Sequence, residues 1–215
     1  MIKEFTSLGL MSGTSGDGVD ASIIRSDGNN SLEIIKDEYF EYDHEIYDEI
    51  HGLKEIINNQ KDLKKYEKRL KELETKITFF HAQAINRISL NKQVDLIGFH
   101  GQTIFHKPTE KISKQIGNGE LLCQLTKKNV VYDFRKNDLK NNGQGAPLTP
   151  IFHQLIFKIK NIKGPTCILN IGGIANFTAI LDHNIKNLES SDVGPGNCLI
   201  DEWVRKNSKN KFDKN

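Results

Sequence analysis

The sequence has few of the residues that mark the most easily recognised protein classes. Among its 215 residues are only three cysteines and one tryptophan. Cys123, Cys167 and Cys198 are widely spaced, form no CxxC pair and have no histidine at metal-ligand spacing. This argues against a disulfide framework and against a structural zinc site. The chain is long enough to be stabilised by a hydrophobic core instead.

Charge of one sign and long hydrophobic runs are lacking as well. The 30 basic residues are balanced by 28 acidic ones, so the net charge of +2 predicts no nucleic-acid partner. No stretch approaches the roughly 18 apolar residues of a membrane helix, and the first ten residues contain no signal-peptide-like apolar run. With 37% hydrophobic residues and a mean hydropathy of −0.51, we expect a globular protein of the cytoplasm, with no membrane partner.

Segments in which every second residue is apolar alternate along the chain with segments in which apolar residues are spaced three and four apart. The first pattern predicts strands at Phe5–Leu10, Val19–Arg25, Leu32–Phe40, Val94–Phe99, Leu121–Thr126, Val130–Tyr132, Cys167–Ile171 and Phe177–Leu181. The second predicts helices at Asp43–Asn58, Leu63–Ile88, Ile151–Ile159 and Leu199–Arg205. The apolar residues of 63–88 form a stripe along one side of the helix. This stripe fits a coiled-coil seam or, as we favour, a helix that covers one face of a sheet. The alternation predicts an α/β fold.

A glycine-rich strand-turn-strand occurs twice, near Gly13 and near Gly172. This repetition predicts two related half-domains, the first spanning 1–150 and the second 151–215. The polar segment 208–215 has no closing element after it, so it is either a frayed tail or the point where the second half-domain is left incomplete. An incomplete half-domain would expose apolar faces of Cys167–Leu181 and of the helix around Trp203, so we expect an aggregation-prone chain or a homodimer.

The first glycine-rich turn, Gly13–Gly18, has the residues of a phosphate-binding loop. Its glycines let backbone N–H groups converge on an anion, and Thr14 and Ser15 add hydroxyl donors. Asp17 would repel a phosphate unless a magnesium ion lies between them. The segment is neither GxxxxGK[ST] nor GxGxxG, and an ordinary hairpin turn explains its composition equally well.

Polar residues at two predicted strand ends are candidates for chemistry. Asp133 could act as a general base and Arg135 could grip an anion, although an ordinary Asp–Arg surface pair explains the spacing better. His100, Gln102 and Thr103 are hydrogen-bonding types suited to sugar hydroxyls and amides, but a lone histidine at a strand end is more often structural.

The second glycine-rich region contains NIGGIAN and DVGPGN. The first could contact another part of the same ligand, as a counterpart of Gly13–Gly18. The second precedes a helix, whose backbone N–H groups attract anions, and Asp192 could hold magnesium through water. A Gly-Pro turn with Asn197 near the helix cap is the simpler interpretation.

Taken together, these segments resemble a known family. Six of them, GLMSGTSGDGVD, GFHGQTIFH, QIGNGE, DFR followed by NGQGAPLTP, NIGGIANFT and DVGPGNCLIDEW, are similar in order and spacing to the anhydro-N-acetylmuramic acid kinases. The similarity runs from about residue 8 to about residue 205.

The resemblance implies an actin-like ATPase and sugar-kinase fold, ribonuclease H-like, with two half-domains and ATP between them. It implies ATP- and Mg²⁺-dependent conversion of 1,6-anhydro-N-acetylmuramic acid to N-acetylmuramic acid 6-phosphate in cell-wall recycling. It also implies that Asp133 is the catalytic base and that Gln102, Thr103 and Arg135 contact the sugar. The implied ATP phosphate-binding segment comprises Gly13, Thr14, Ser15, Gly16, Asp17, Gly18, Val19 and Asp20.

Two departures from the family pattern stand out. Family members usually have methionine where this chain has Gly16, and glycine is expected to loosen the loop and weaken nucleotide binding. They also exceed 300 residues, so the part that grips adenosine is expected beyond the 215 residues of this chain. Besides an active kinase, two hypotheses remain: a non-catalytic fragment that binds sugar or a partner chain, and, less favoured, a kinase for another sugar.

Overall fold

A computed structural model describes residues 3–90, 92–182 and 184–210. The chain divides into two compact units, Met1–Ala146 and Pro147–Asn215. We call them unit 1 and unit 2. The assignment of half-domains 1–150 and 151–215 stays a prediction.

Unit 1 is built on a mixed sheet. Its strands are β1 Phe5–Ser12, β2 Gly18–Ser26, β3 Leu32–Glu41, β4 Leu96–Lys107, β5 Ile112–Ile116 and β6 Asn129–Tyr132. The first three form an antiparallel meander, and β1 then pairs in parallel with β4. β6 lies parallel to the first part of β4, and β5 lies antiparallel to its second part. The prediction of an α/β fold is thereby confirmed.

Five α-helices complete unit 1: α1 His44–Ile56, α2 Gln60–Lys65, α3 Glu67–Ile88, α4 Gly119–Thr126 and α5 Phe134–Lys140. A short 3-10 helix covers Pro108–Glu110. The predicted helix 63–88 is interrupted at Tyr66, whose backbone has non-helical φ −103 and ψ 18, and the Asn59–Asp62 capping box starts α2 at Gln60. The buried stripe of α3, including Leu73 and Ile77, packs on the sheet, which confirms the sheet-covering interpretation.

Two sequence predictions are wrong in unit 1, and two elements were missed. Leu121–Thr126 is part of α4 and not a strand, because the Asn118 side chain accepts a hydrogen bond from the Leu121 N–H at 2.9 Å and starts a helix. The strand predicted to end at Phe99 continues to Lys107 as β4, so 100–103 lie inside a strand. Helix α5 and strand β5 were not predicted.

The continuation of β4 is possible because Gly101 changes its direction. Gly101 has φ +69, and a Cβ there would lie 2.5 Å from the Ile116 carbonyl oxygen. Only glycine fits such a bend. Beyond this point β4 no longer pairs with β6 and begins to pair with β5, while its pairing with β1 shifts register and ends at Ser12–Gln102.

Unit 2 contains a second antiparallel meander. It consists of α6 Pro150–Ile159, β7 Thr166–Ile171, β8 Ile174–Ile180, a 3-10 helix at Ile185–Asn187, β9 Leu188–Pro195 and α7 Cys198–Asn207. Because β9 extends to Pro195, most of DVGPGN belongs to a strand, and its prediction as a free turn is wrong. Like β1–β3, these strands are ordered β7-β8-β9.

Large apolar side chains are exposed in unit 2, as the sequence predicted. Leu169 is 57%, Ile171 65% and Trp203 67% exposed. The aggregation or dimerisation expected from such exposure stays a prediction. Among the described residues, no helix is both long and apolar enough to span a membrane.

A histidine is buried in the core of unit 1. His81 of α3 has no solvent exposure, its Nδ1 donates to the Ile77 carbonyl at 2.7 Å, and its ring meets that of Phe99. Among the described residues, its Nε2 has no hydrogen-bond partner. Burial, with a smaller contribution from His100, lowers the pKa of His81 to about 4.

The buried His81 predicts a pH-dependent stability. Because the pKa of His81 is lower in the folded state than the ordinary value of 6.5, its contribution is complete above pH 6.5 and is lost as the pH falls toward 4. The loss is at most about 3 kcal/mol. We expect His81→Leu to reduce the slope of unfolding free energy against pH between 6.5 and 4.5, measured by urea titration.

The matched control is His44→Leu, since His44 is exposed at the start of α1. This variant should keep the wild-type slope. An unchanged slope in His81→Leu would show that His81 is not the titrating group. The slope should not vanish entirely, because the pKa of His100 is lowered as well.

Candidate functional site

The loop between β1 and β2 has the features of an anion-binding turn. The Gly16 N–H donates to the Gly13 carbonyl at 3.2 Å, which closes a tight turn. Thr14 and Ser15 at its tip are exposed. Within the described part of the chain, their backbone N–H groups donate to no protein acceptor. Adjacent, unpaired N–H groups of this kind can bind phosphate oxygens.

Gly16 is required by the way the loop packs against α1. It has φ +66, and a Cβ at this position would lie 2.9 Å from Ile50 Cγ2. Both the backbone conformation and the contact exclude a side chain without rearrangement. The loop is therefore buried at Gly16, which differs from the loosening expected from the sequence.

Buried side chains hold the base of the loop. Gln102, which has no solvent exposure, accepts a hydrogen bond from Ser12 Oγ through Oε1 and donates through Nε2 to the Gly13 carbonyl at 3.0 Å. Ser12 Oγ also lies 3.0 Å from the Tyr42 hydroxyl and 3.0 Å from the Gly18 carbonyl. The Ser12–Tyr42–Gln102 network thus ties both ends of the loop to β4. Burial also raises the pKa of Tyr42, which keeps its hydroxyl protonated.

One side of the loop is acidic. The Asp17 carboxylate accepts a hydrogen bond from Ser15 Oγ at 2.6 Å, and it also interacts with the Tyr39 hydroxyl. Partial burial and the negative charge of Asp17 raise the pKa of Asp20. The remaining member of the predicted segment, Val19, is fully buried and contributes packing. No group of three His, Cys, Asp or Glu side chains among the described residues could hold a metal by itself.

A second cluster in unit 1 centres on Arg135. Its Nε and Nη2 donate to His100 Nε2 at 3.1 and 2.9 Å, and its Nη1 donates to the Gly145 carbonyl at 2.6 Å. His100 Nδ1 donates to the Gly101 carbonyl at 2.7 Å, so His100 is neutral with its proton on Nδ1. Burial, and secondly the charge of Arg135, lower the pKa of His100 to about 4. Three distant sequence motifs therefore meet at one guanidinium.

Asp133 begins α5 directly after β6, and its backbone is left-handed, with φ 61 and ψ 35. This region is uncommon for residues other than glycine, although aspartate tolerates it better than most. The carboxylate makes no capping bond to α5 and instead accepts a hydrogen bond from Lys136 Nζ at 2.9 Å.

Thr103, the remaining predicted sugar contact, accepts a hydrogen bond from Gln115 Nε2 at 3.1 Å through Oγ1.

In unit 2 the two glycine motifs contact each other. The N–H groups of Gly196 and Asn197 donate to the carbonyls of Gly173 and Gly172 at 3.0 and 2.9 Å. These donors at the start of α7 are therefore already used within the protein. A Cβ at Gly196 would lie 2.1 Å from the Gly172 carbonyl oxygen. Asp192 lies opposite Asn176 in the β8–β9 pair, next to this junction.

The structure thus brings some of the predicted residues together. Gln102 meets the loop of Gly13–Gly18, and Arg135 meets His100 and the NGQGAP segment. Three residues of the loop surroundings were not predicted: Ser12, Tyr42 and Lys54, whose Nζ donates to the Thr14 carbonyl at 2.7 Å. Lys54 was hidden by its place on the polar part of α1. Ser12 and Tyr42 could not be recognised from the sequence, because they look like ordinary polar residues at the ends of strands.

The chain belongs to a family of sugar kinases. A family model for anhydro-N-acetylmuramic acid kinase matches residues 5–215. This agrees with the resemblance seen in the sequence motifs.

Individual relatives give the same assignment. The anhydro-N-acetylmuramic acid kinase of Pelagibacter ubique (strain HTCC1062) is 58% identical over the whole chain, and that of Agrobacterium fabrum is 38% identical over 97% of it. The chain spans 58% and 57% of the length of these two relatives. Among solved structures, an exopolyphosphatase-like protein aligns with 94% of the chain at 11% identity and a TM-score of 0.45, covering 59% of its own chain.

The Arg135–His100 contact predicts a measurable titration shift. Removing the guanidinium in Arg135→Met should raise the pKa of His100 from about 4, while leaving it below 6.5 because burial is the larger cause. A histidine-selective NMR titration would measure it. Arg87→Met, on α3, is the control and should leave the pKa of His100 unchanged. An unshifted His100 in Arg135→Met would contradict the contact.

The junction in unit 2 predicts an unequal response of two glycines. Gly196→Ala should lower the free energy of unfolding by about 1–3 kcal/mol, because its methyl group would overlap the Gly172 carbonyl. Gly172→Ala should cost less, since the nearest atom to a Cβ there is 3.8 Å away. Denaturant unfolding followed by fluorescence of Trp203, the single tryptophan, reports on unit 2. Equal losses in the two variants would refute this packing argument.

Proposed function

We propose that this chain carries the phosphate-binding and substrate-activating part of an anhydro-N-acetylmuramic acid kinase. The observation that carries the proposal is the exposed pair of N–H groups at Thr14 and Ser15, on a loop fixed from below by Gln102. A preorganised pair of backbone donors is what a transferring phosphoryl group requires. Membership of the kinase family supports the same role.

The proposed reaction joins hydrolysis to phosphorylation. A water molecule attacks the anomeric carbon of 1,6-anhydro-N-acetylmuramic acid, and the bond from that carbon to O6 breaks. O6 takes the terminal phosphoryl group of ATP, which leaves ADP and N-acetylmuramic acid 6-phosphate. The proton of the water passes to a carboxylate of the protein and then to solvent. This reaction would place the enzyme in cell-wall sugar recycling in the cytoplasm.

Within this reaction we assign Asp133 as the base. Its carboxylate is not used to cap α5, and Lys136 holds it at 2.9 Å in a strained backbone position. Strained polar residues of this kind occur preferentially at functional sites. We assign Arg135, already fixed by His100, together with Thr103 and Gln102, to the sugar side. The oxygen and the nitrogen of the Gln102 amide are both bonded within the protein. Gln102 therefore acts on the sugar indirectly, by supporting the loop of Gly13–Gly18.

The donor set fits ATP with Mg²⁺. Asp17 and Asp20 give the loop a negative side, and partial burial together with the charge of Asp17 raises the pKa of Asp20. When bound, Mg²⁺ would offset the charge between these carboxylates and the phosphates. Because the described residues offer no set of three ligands, water and phosphate oxygens would complete its coordination. In unit 2, Asp192 is a separate candidate for holding a metal ion through water.

The assignment of the base predicts different effects for two aspartates. We expect Asp133→Asn to reduce turnover by at least about 100-fold in a coupled ADP-release assay, since an amide cannot accept the proton. Its free energy of unfolding should change little, because the Asp133–Lys136 pair is exposed. Asp192→Asn should mainly raise the Mg²⁺ concentration required.

The two variants also test the proposal against its rivals. If Asp133→Asn keeps near-wild-type turnover at saturating Mg²⁺, Asp133 is not the base. Since the chain spans 58% of the Pelagibacter ubique relative, the same substitutions belong at the aligned positions of that protein too. Turnover by the relative and none by this chain would favour the alternative of a non-catalytic fragment.

A further inference from the structure

The loop of Gly13–Gly18 contains no positive charge. Its only ionisable side chain is that of Asp17, which is negative. Phosphate-binding loops of the GxxxxGK[ST] type carry their own lysine, which reaches the terminal phosphates. A triphosphate at the tip of this loop therefore needs a cation from another element of the fold, in addition to any metal ion.

Helix α1 supplies a cation at this place. Lys54 Nζ donates to the carbonyl oxygen of Thr14 at 2.7 Å, although the two residues are 40 positions apart. Its ammonium group therefore lies against Thr14, one of the two loop residues whose backbone N–H groups donate to no described acceptor. Lys54 is only half-buried, so its charge remains close to solvent and to any anion at the loop tip.

The glycine at position 16 leaves room for this contact. A Cβ on Gly16 would lie 3.5 Å from Lys54 Nζ and 2.9 Å from Ile50 Cγ2. A longer side chain starting there would push against the residues of α1 that face the loop. The absence of a side chain at Gly16 and the position of Lys54 thus belong to one packing arrangement.

We propose that Lys54 is a phosphate-binding residue of this chain, and that Gly16 allows α1 to bring the ammonium group to the loop. The ligand class is a terminal di- or triphosphate group. This inference rests on the proposed function, because it takes the loop as the phosphate site. The competing interpretation is that Lys54 only fastens the loop to α1, without acting on the ligand.

The test measures binding to the 215-residue chain by calorimetry, with two probes. MgATP tests the nucleotide, and inorganic tripolyphosphate tests the phosphate groups without adenosine. Lys54→Met keeps the length of the side chain and removes its charge, Lys54→Arg keeps the charge, and Lys61→Met on the exposed surface of α2 is the matched control. Circular dichroism confirms that each variant is folded.

We expect Lys54→Met to bind both probes about tenfold more weakly, and the other two variants to stay within about threefold of wild type. The salt dependence of binding should also be shallower in Lys54→Met, because one screened attraction is missing. A salt dependence equal to that of wild type would overturn the inference in favour of a fastening role. Equal affinity would overturn it outright and leave the proposed function intact. Absence of binding by the wild-type chain to either probe would overturn both.

Discussion

The hydrogen bonds of the Gln102 amide are the constraint on which unit 1 depends. One end of this buried side chain accepts from Ser12 and the other donates to the Gly13 carbonyl, so a single residue of β4 fixes the exit of β1 and the start of the loop. Leaving such buried polar groups unpaired would cost about 1–3 kcal/mol each. The donors of the loop tip, in contrast, lie on exposed residues and carry no such cost.

Strand β4 organises both clusters of unit 1 from adjacent positions. Gly101 bends the strand, and the residues before and after it serve different partners: His100 orients the Arg135 guanidinium, and Gln102 holds the loop. His100 can accept from Arg135 only while it is neutral, and burial together with the positive charge of Arg135 lowers its pKa to about 4. The histidine therefore acts as a fixed support for an arginine rather than as an acid or base near neutral pH.

The sequence was sufficient for the α/β class, for most strands and for the helix stripe containing Leu73 and Ile77, since these follow from apolar periodicity. It failed at Leu121–Thr126, where consecutive apolar residues suit a strand as well as a helix and the Asn118 cap decides. For the site, glycine-rich motifs pointed to the loop but not to its supports. Hydrogen bonds such as Ser12–Gln102 join residues 90 positions apart, and no local pattern records them.

The two units hold similar glycine-rich turns by different means. In unit 1, side chains of Ser12 and Gln102 secure the turn between β1 and β2. In unit 2, the carbonyls of Gly172 and Gly173 accept directly from the backbone that leads into α7. In unit 2 the backbone amides of Gly196 and Asn197 are used in the fold, whereas in unit 1 the backbone N–H groups of Thr14 and Ser15 donate to no acceptor among the described residues. Gly196 tolerates no side chain because a Cβ there would lie 2.1 Å from the Gly172 carbonyl oxygen, against which its own N–H segment is packed.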